Sequence, residues 1–205
     1  MNFTYASIKY LTVDEFNELI EKIPEADPSS KFMKRNLTIF LVAEYCALRA
    51  SEIGAIRFTD YDPKNNTLFC RRLKGSSCNT LKLADSRVAT AMQEFYKDRL
   101  NNPSHGNFIF ASKSERPINR RTLHTLMKYY CSFTSISPDK WHFHALKHTC
   151  AMKLIDYYHF DVRDVQWWLG HKYISNTMIY LNYSTNAQSR LYEKISEKKW
   201  NDDDY

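Results

Sequence analysis

The sequence of 205 residues contains few residues that break regular structure, with 4 glycines and 6 prolines. This composition leaves no low-complexity segment and no long flexible linker. The sequence also lacks a run of about 18 apolar residues, which a membrane-spanning helix needs. Residues 1–5 are not a basic region followed by an apolar stretch, so we expect no secretory signal. These absences argue against association with a membrane.

The five cysteines are odd in number and scattered along the chain, and no Cys-x-x-Cys motif occurs. A disulfide framework or a zinc site is typically built from closely spaced or evenly paired cysteines. We therefore expect reduced thiols in the cytoplasm, mostly buried as small hydrophobic side chains.

Charge and size set broad limits. Lys and Arg number 29 against 23 Asp and Glu, which gives a net charge of +6, and 43% of the residues are hydrophobic. The composition is typical of a globular protein, and the length suits one large domain or two small ones. A basic balance suits a polyanionic partner, but many basic proteins bind none, so charge alone favours nucleic acid only modestly.

Apolar spacing predicts a mainly helical chain with one small antiparallel sheet, an α+β fold. Thr12 and Glu15 form a capping-box pattern ahead of a first helix. Turn residues at 60–66 and 75–77 separate two strand candidates, 67–73 and 79–83, within a sheet region of about 58–84. A short strand is predicted at 108–110. Helices are predicted over 31–47, 51–57, 86–99, 119–133, 143–158, 162–168, 174–182 and 187–198.

Four short motifs follow one another along the chain. Arg49 stands just before Ser51 and Glu52, residues 144–148 read His-Ala-Leu-Lys-His, and a Gly-His pair at 170–171 precedes Tyr180. This order resembles the tyrosine recombinases, or integrases, and the resemblance extends from about residue 10 to 192. In that family a tyrosine attacks a DNA phosphate inside a cage of basic residues.

The resemblance is to the catalytic domain alone. It implies a single catalytic domain over residues 1–205, without the N-terminal core-binding domain that many members carry. The sequence is then either a short form similar to the fimbrial phase-switch recombinases or an excised fragment of a longer member. The resemblance also implies double-stranded DNA as partner, a homotetramer on two DNA sites, and a C-terminal segment of about 187–200 that docks onto a neighbouring protomer. The cage is cationic and no Gly-rich phosphate loop is present, so we expect no metal and no other cofactor.

Cleaving a phosphodiester without a metal needs an in-line nucleophile, cationic donors for the phosphate oxygens and an acid for the leaving 5′-oxygen. The resemblance implies that Tyr180 is the nucleophile, that Arg49 and His171 are phosphate donors, and that His144 handles the nucleophile's proton. Lys74, at the tip of the predicted hairpin, would protonate the 5′-oxygen. Tyr183 is the nearest rival nucleophile.

Lys147 departs from the family pattern, because it occupies the position where the second arginine usually stands. An ammonium keeps the charge but loses the planar fork that bonds two phosphate oxygens. The resemblance further implies that Glu52 orients the site and that His148 supports it. Basic residues of the hairpin and of a following helix are expected to pair with DNA phosphates: Arg71, Arg72, Lys82, Arg120 and Arg121.

Other functions fit some of these features. One is a DNA-binding regulator on the same fold, with its chemistry impaired at Lys147. Another is a type IB topoisomerase, although the short chain and the close spacing of Gly-His and tyrosine favour a recombinase. His144 and His148 share a helical face, as zinc ligands often do, but a lysine lies between them and no further ligand stands at a usual spacing. Residues 167–168, Trp-Trp, could stack on bases, but their helical spacing favours partial burial in the core.

Overall fold

The structure, a computed structural model, describes residues 8–73, 75–102 and 106–184, together with residues 192 and 196. Within these residues no helix is both long and apolar enough to span a bilayer. The predicted helix 187–198 and the docking segment 187–200 lie outside the described residues, apart from 192 and 196.

The described chain forms helices around one small sheet. The helices are α1 (Val13–Ala26), α2 (Met33–Tyr45), α3 (Ala50–Gly54), α4 (Ser86–Leu100), α5 (Arg120–Cys131), α6 (Ala145–Met152), α7 (Val162–Leu169) and α8 (Ser175–Leu181). The strands are β1 (Tyr61–Asp62), β2 (Thr67–Cys70) and β3 (Asn79–Lys82).

Side-chain caps fix where several helices begin. Thr12 and Glu15 form the reciprocal capping box that their spacing predicted at the start of α1. Asp85, Asn119 and Asp161 accept hydrogen bonds from free backbone N–H groups at the starts of α4, α5 and α7. These caps account for helix boundaries that lie close to the predicted ones.

The sheet is antiparallel in the order β1-β2-β3, with Leu68 opposite Leu81. The predicted fold class, mainly α with a small antiparallel sheet, is therefore confirmed. The first strand candidate ends at Cys70 instead of residue 73, because the chain leaves the sheet there to dock against α3 and α7. β1 was not predicted, since its two residues lie within a stretch of turn-forming residues.

Two other predictions were wrong in detail. Residues 108–110 form a buried loop instead of a strand, held by isolated bridges from Arg57 to Phe108 and from Ala111 to Pro117. The predicted helix 143–158 is α-helical only in α6 and continues as a π-helical turn over Lys153–Tyr157. A single extra residue per turn leaves no signature in the apolar spacing.

Helix α2 is the centre of the main core and packs against α1, α4 and α6. A second, smaller cluster lies beyond its C-terminal end and contains Ala47, Ile155, Leu169 and Tyr180. Trp168 packs against both clusters, whereas Trp167 is 58% exposed, so the pair is divided between core and surface as predicted. The candidate site lies where the two clusters meet.

Candidate active site

The turn between α2 and α3 directs one carbonyl group at two cations. Ala47 has a φ of 52°, a left-handed conformation that costs a non-glycine residue about 1–2 kcal/mol. Its carbonyl oxygen accepts hydrogen bonds from Arg72 Nη1 at 3.1 Å and from Lys147 Nζ at 3.2 Å. These charge-assisted bonds offset the strain and join the turn, the hairpin and α6 at one point.

Arg49 and Glu52 form a closed pair at the start of α3. Glu52 accepts hydrogen bonds from the backbone N–H of Arg49 at 2.8 Å and from Arg49 Nη1 at 2.7 Å. It also accepts one from the backbone of Leu73, on the hairpin. Burial alone would raise the pKa of the Glu52 carboxyl, but these hydrogen bonds outweigh burial and lower it. Glu52 is therefore ionised and holds the Arg49 guanidinium in place, while that side chain stays 25% exposed.

The structure buries Arg72, which was predicted to pair with a DNA phosphate at the surface. Its side chain is fully buried, and its guanidinium donates to the carbonyl oxygens of Ala47 and Trp168 and to Asn79 Oδ1. Every partner is a neutral acceptor, and the nearest carboxylate oxygen, on Glu52, is 4.0 Å away. Arg72 instead ties the hairpin to the end of α7 and contributes positive charge from beneath the site.

Lys147 is also buried, and only 2% of its surface is exposed. Its ammonium donates to the carbonyl oxygens of Ala47 and of Leu169, the latter at 3.1 Å. Burial, together with the charges of Arg72 and Arg49, lowers the pKa of Lys147 to about 7. The resemblance gave Lys147 the place of an arginine that bonds phosphate oxygens, whereas the structure points the ammonium inward, towards the last turn of α7.

Gly170 brings the hairpin and His171 together. It ends α7 with a φ of 65°, as the sequence predicted, and accepts a hydrogen bond from the backbone of Ser77. A Cβ atom at Gly170 would lie 2.5 Å from the Ser77 carbonyl oxygen, so only glycine permits this approach. His171 follows, with Nδ1 2.9 Å from the Thr177 hydroxyl on α8.

Tyr180 lies at the base of the site and is only 1% exposed. Its hydroxyl is 2.9 Å from Nδ1 of His148, which was predicted only as a supporting residue. Burial raises the pKa of the Tyr180 phenol and lowers that of the His148 imidazole to about 3. Both groups are therefore neutral at physiological pH, and in the tautomer that carries its proton on Nε2 the imidazole accepts a hydrogen bond from the phenol at Nδ1. Tyr183 packs at the edge of the second cluster.

The other histidines of the site are held neutral as well. Burial and the charges of Lys147 and Arg49 lower the pKa of His171 to about 3 and shift that of His144 in the same direction. The imidazole of His144 reaches solvent and packs edge-on against His148, with ring centres 4.5 Å apart. In the part of the chain that the structure describes, no group of three or more His, Cys, Asp or Glu residues is arranged to hold a metal ion.

The remaining predicted residues lie at or beyond the rim. Lys74 is outside the described residues, but its neighbour Leu73 is bonded to Glu52, and Ser76 Oγ lies 3.4 Å from Arg49. Lys82, Arg120 and Arg121 are exposed, and Arg71 is half-exposed in an ion pair with Asp60. The described site thus combines three cations, Arg49, Arg72 and Lys147, with the single carboxylate of Glu52, an arrangement that attracts an anion.

Comparison with protein families and sequences agrees with this geometry. Residues 9–187 match the model of the phage integrase family. The chain is 28% identical over 192 residues to the tyrosine recombinase XerC of Caldanaerobacter subterraneus subsp. tengcongensis. The aligned region covers 92% of this chain and 50% of that protein. It is 27% identical over 162 residues to the type 1 fimbriae regulatory protein FimB of Escherichia coli K12, covering 78% of this chain and 80% of that one.

Solved structures show the same fold. The crystal structure of XerA recombinase superimposes with a TM-score of 0.76 at 21% identity, over 96% of this chain and 66% of that one. The XerH site-specific recombinase bound to its difH substrate, before cleavage, gives a TM-score of 0.71 at 20% identity, over 84% and 50% of the two chains. The chain therefore spans half to two thirds of these longer proteins.

Proposed function

Because this chain belongs to the phage integrase family, we propose that it is a site-specific DNA recombinase that cleaves and rejoins double-stranded DNA through Tyr180. The observation that carries the proposal is the hydrogen bond of 2.9 Å between the Tyr180 hydroxyl and an unprotonated His148. A phenol with a neutral base at its oxygen, beside a cationic cluster, suits nucleophilic attack on phosphorus.

The phosphate is held at the open side of the cluster. Arg49 is partly exposed and fixed by Glu52, so its free N–H groups form a preorganised donor for a non-bridging oxygen. We assign the second donor to Nε2 of His171, because its Nδ1 is already occupied by Thr177. Donors that need not reorganise during the reaction are the ones that stabilise charge in the transition state most effectively.

In the cleavage step the Tyr180 oxygen bonds to phosphorus and the bond from phosphorus to the 5′-oxygen breaks. The phenol proton passes to Nδ1 of His148. The leaving 5′-oxygen takes a proton from a donor that we assign as Lys74. The product is a 3′-phosphotyrosyl ester and a free 5′-hydroxyl group. The negative charge of a bound phosphate raises the pKa of His148, which favours this proton transfer. Rejoining is the same step in reverse.

Lys147 acts from behind the phosphate in this account. Its ammonium is buried and held by two carbonyl groups, so it contributes a positive field and positions the Ala47 turn and α7. A lysine suffices for that task, since neither bond requires a planar fork. The departure from the usual arginine is therefore compatible with activity.

Tyr180 must move before it can react. With 1% of its surface exposed, the hydroxyl cannot reach a phosphate bound beside Arg49. Helix α8 is only seven residues long and packs against α7, so displacement of α8 upon DNA binding is the simplest way to expose the tyrosine.

The assembly follows from the same proposal. Recombination between two DNA duplexes cleaves each of their four strands, and a homotetramer would supply one tyrosine for each strand. We assign the docking of neighbouring protomers to residues 187–200. A DNA substrate and five free cysteines suit the cytoplasm.

A covalent assay tests the proposal although the target sequence is unknown. The protein is incubated, in EDTA, with nicked duplexes whose central sequence is randomised, so that a cleaved strand loses the short fragment that carries the new 5′-hydroxyl. We expect a protein–DNA adduct that survives denaturation, and sequencing of the captured DNA then gives the preferred site. Cleavage that appears only when magnesium or zinc is restored would contradict the mechanism, as would binding with no adduct in any pool.

A further inference from the structure

The N-terminal end of α2 carries a second cationic cluster, away from the candidate active site. Three cations surround the ring of Phe32: Arg35 Cζ lies 4.4 Å, Lys31 Nζ 5.2 Å and Lys113 Nζ 5.9 Å from its centre. Each contact with the ring is favourable, because the ring face is electron-rich. Three like charges around one ring also repel one another, and a bound anion would reduce this repulsion.

The nearby carboxylates are already engaged. Asp98 pairs with Lys34 at 3.0 Å, and Glu115 pairs with Arg99 at 2.7 Å. Among the described residues, none of the three cations around Phe32 has a carboxylate ion-pair partner. The residues lining this region include five cations and two carboxylates, which leaves a net charge of +3.

The cluster encloses a cavity of about 270 Å³, with Phe95 and Ala111 in its wall. A water molecule occupies roughly 30 Å³ in the liquid, so the cavity has room for one or two phosphate groups.

Two buried arginines make this a built site. Arg35 is 8% exposed and bonds only to the neutral acceptors Ala111 O and Asn36 Oδ1. Burial lowers the pKa of its guanidinium, and the charge of Arg99 acts in the same direction. Arg99 is 9% exposed, and its buried Nε has no hydrogen-bond acceptor in the described part of the chain. Arg99 already has the carboxylate of Glu115 beside it, but Arg35 has only neutral acceptors. Burying the Arg35 charge is costly unless an anion binds beside it.

The first turn of α2 strengthens the same preference. It contains no acidic residue, and Phe32 at its start provides no capping side chain. The positive end of the helix dipole therefore meets no negative side chain of this helix, and free N–H groups at such an end bind oxyanions.

We propose that this cavity binds a small phosphate-bearing molecule, with Arg35, Arg99, Lys31 and Lys113 as its donors. Helix α2 has 13 residues, so the cavity lies about 20 Å along its axis from the Ala47 turn. A ligand there would bind without touching Tyr180 or Arg49. The proposal does not depend on the proposed recombinase activity.

Inorganic pyrophosphate is the probe for this site. Its affinity for the 205-residue protein is measured by calorimetry in the absence of DNA and at constant ionic strength. Lys31→Gln together with Lys113→Gln removes two exposed donors, so the variant should fold and should lose affinity by about ten-fold or more. Lys64→Gln together with Lys128→Gln removes the same charge from exposed positions elsewhere and should keep the wild-type affinity.

Three outcomes would overturn the proposal. If both double variants lose affinity equally, pyrophosphate only screens the net charge. If wild type does not bind pyrophosphate at millimolar concentration, the cavity is not a phosphate site. If duplex DNA displaces pyrophosphate and the Lys31/Lys113 variant loses DNA affinity by the same factor, the cluster belongs to the DNA-binding surface. A melting temperature of the unliganded variant equal to that of wild type confirms that it is folded.

Discussion

The hydroxyl of Tyr180 lies 2.9 Å from Nδ1 of His148, although 32 residues separate the two in the chain. Both groups are buried and neutral, so the contact is a hydrogen bond between a phenol and an uncharged imidazole. On this contact we propose His148 as the base, whereas sequence reasoning gave that role to His144.

We predict that His148→Gln lowers the rate of adduct formation by about 10²–10⁴, the range for a lost general base. The glutamine amide can still accept the Tyr180 hydrogen bond, but it cannot take the proton, so folding and DNA affinity should stay near wild type. The measurement is single-turnover adduct formation on nicked DNA, with His159→Asn as an exposed-histidine control. A rate for His148→Gln equal to that of the control would return the role to His144.

We predict that Lys147 gives the stability a distinct dependence on pH. Its pKa is about 7 in the folded chain and near 10.5 when exposed. Between these values the unfolded chain holds a proton that the folded chain has lost, so the free energy of unfolding rises with pH. Below pH 7 both states are protonated, and this contribution is absent.

Urea unfolding of wild type and Lys147→Met at several values between pH 6.5 and 10 measures this effect. The folded-state pKa values of His144 and His171, which Lys147 helps to lower, lie well below this pH range. The difference between the two unfolding free energies therefore isolates Lys147. That difference should shift in favour of wild type as the pH rises. A constant difference would mean that Lys147 stays protonated throughout, as a solvated ammonium does.

Substitutions of Arg72 and Lys82 should have different effects, the first on stability and the second on DNA binding. Arg72→Met removes one donor from each of three buried acceptors and a buried charge close to Glu52, and we expect a loss of about 3–5 kcal/mol in the free energy of unfolding. Lys82 is exposed, so Lys82→Met should change stability by less than about 0.5 kcal/mol and should weaken DNA binding instead. Urea unfolding measures the stability of both variants, and a titration with DNA measures their DNA affinity. A stable Arg72→Met protein with weakened DNA binding would restore the original assignment of Arg72.

DNA affinity should fall steeply with salt, because the expected contacts are to phosphates. For about six to ten contacts the affinity drops by about 10³–10⁵ between 50 and 200 mM salt. Arg120→Gln together with Arg121→Gln should reduce the slope of log affinity against log salt by an amount equivalent to roughly two phosphate contacts. The control, Lys64→Gln together with Lys97→Gln, should leave the slope unchanged. Fluorescence anisotropy at four salt concentrations gives both slopes. Identical slopes would remove α5 from the DNA-binding surface.

The sequence determined the fold class and the order of the motifs because both depend on local spacing. Caps such as Thr12 and Asp161 and the left-handed Gly170 act within a few residues, so their patterns are legible in the chain. The burial of Arg72 is different in kind. Its acceptors lie 25 and 96 residues away, on Ala47 and Trp168, and nothing in the hairpin itself distinguishes it from the half-exposed Arg71.

The inward direction of Lys147 has a similar origin. Residue spacing places it on one face of a helix, but that helix begins at Ala145, and the side chain extends towards the carbonyl of Leu169 on another helix. The strand predicted at 108–110 failed because its apolar residues are buried by loop packing, which spacing alone cannot distinguish from a strand.

The central claim is that Tyr180 forms the covalent bond to DNA, and its most direct measurement maps the adduct. Wild type, Tyr180→Phe and Tyr183→Phe are trapped on the same nicked duplex, and the nucleotide-bearing peptide of each is identified by mass spectrometry. We predict that wild type and Tyr183→Phe carry the adduct on Tyr180 and that Tyr180→Phe forms none, while binding DNA as tightly as wild type. An adduct formed by Tyr180→Phe at the wild-type rate, or one mapped to Tyr183, would contradict the account.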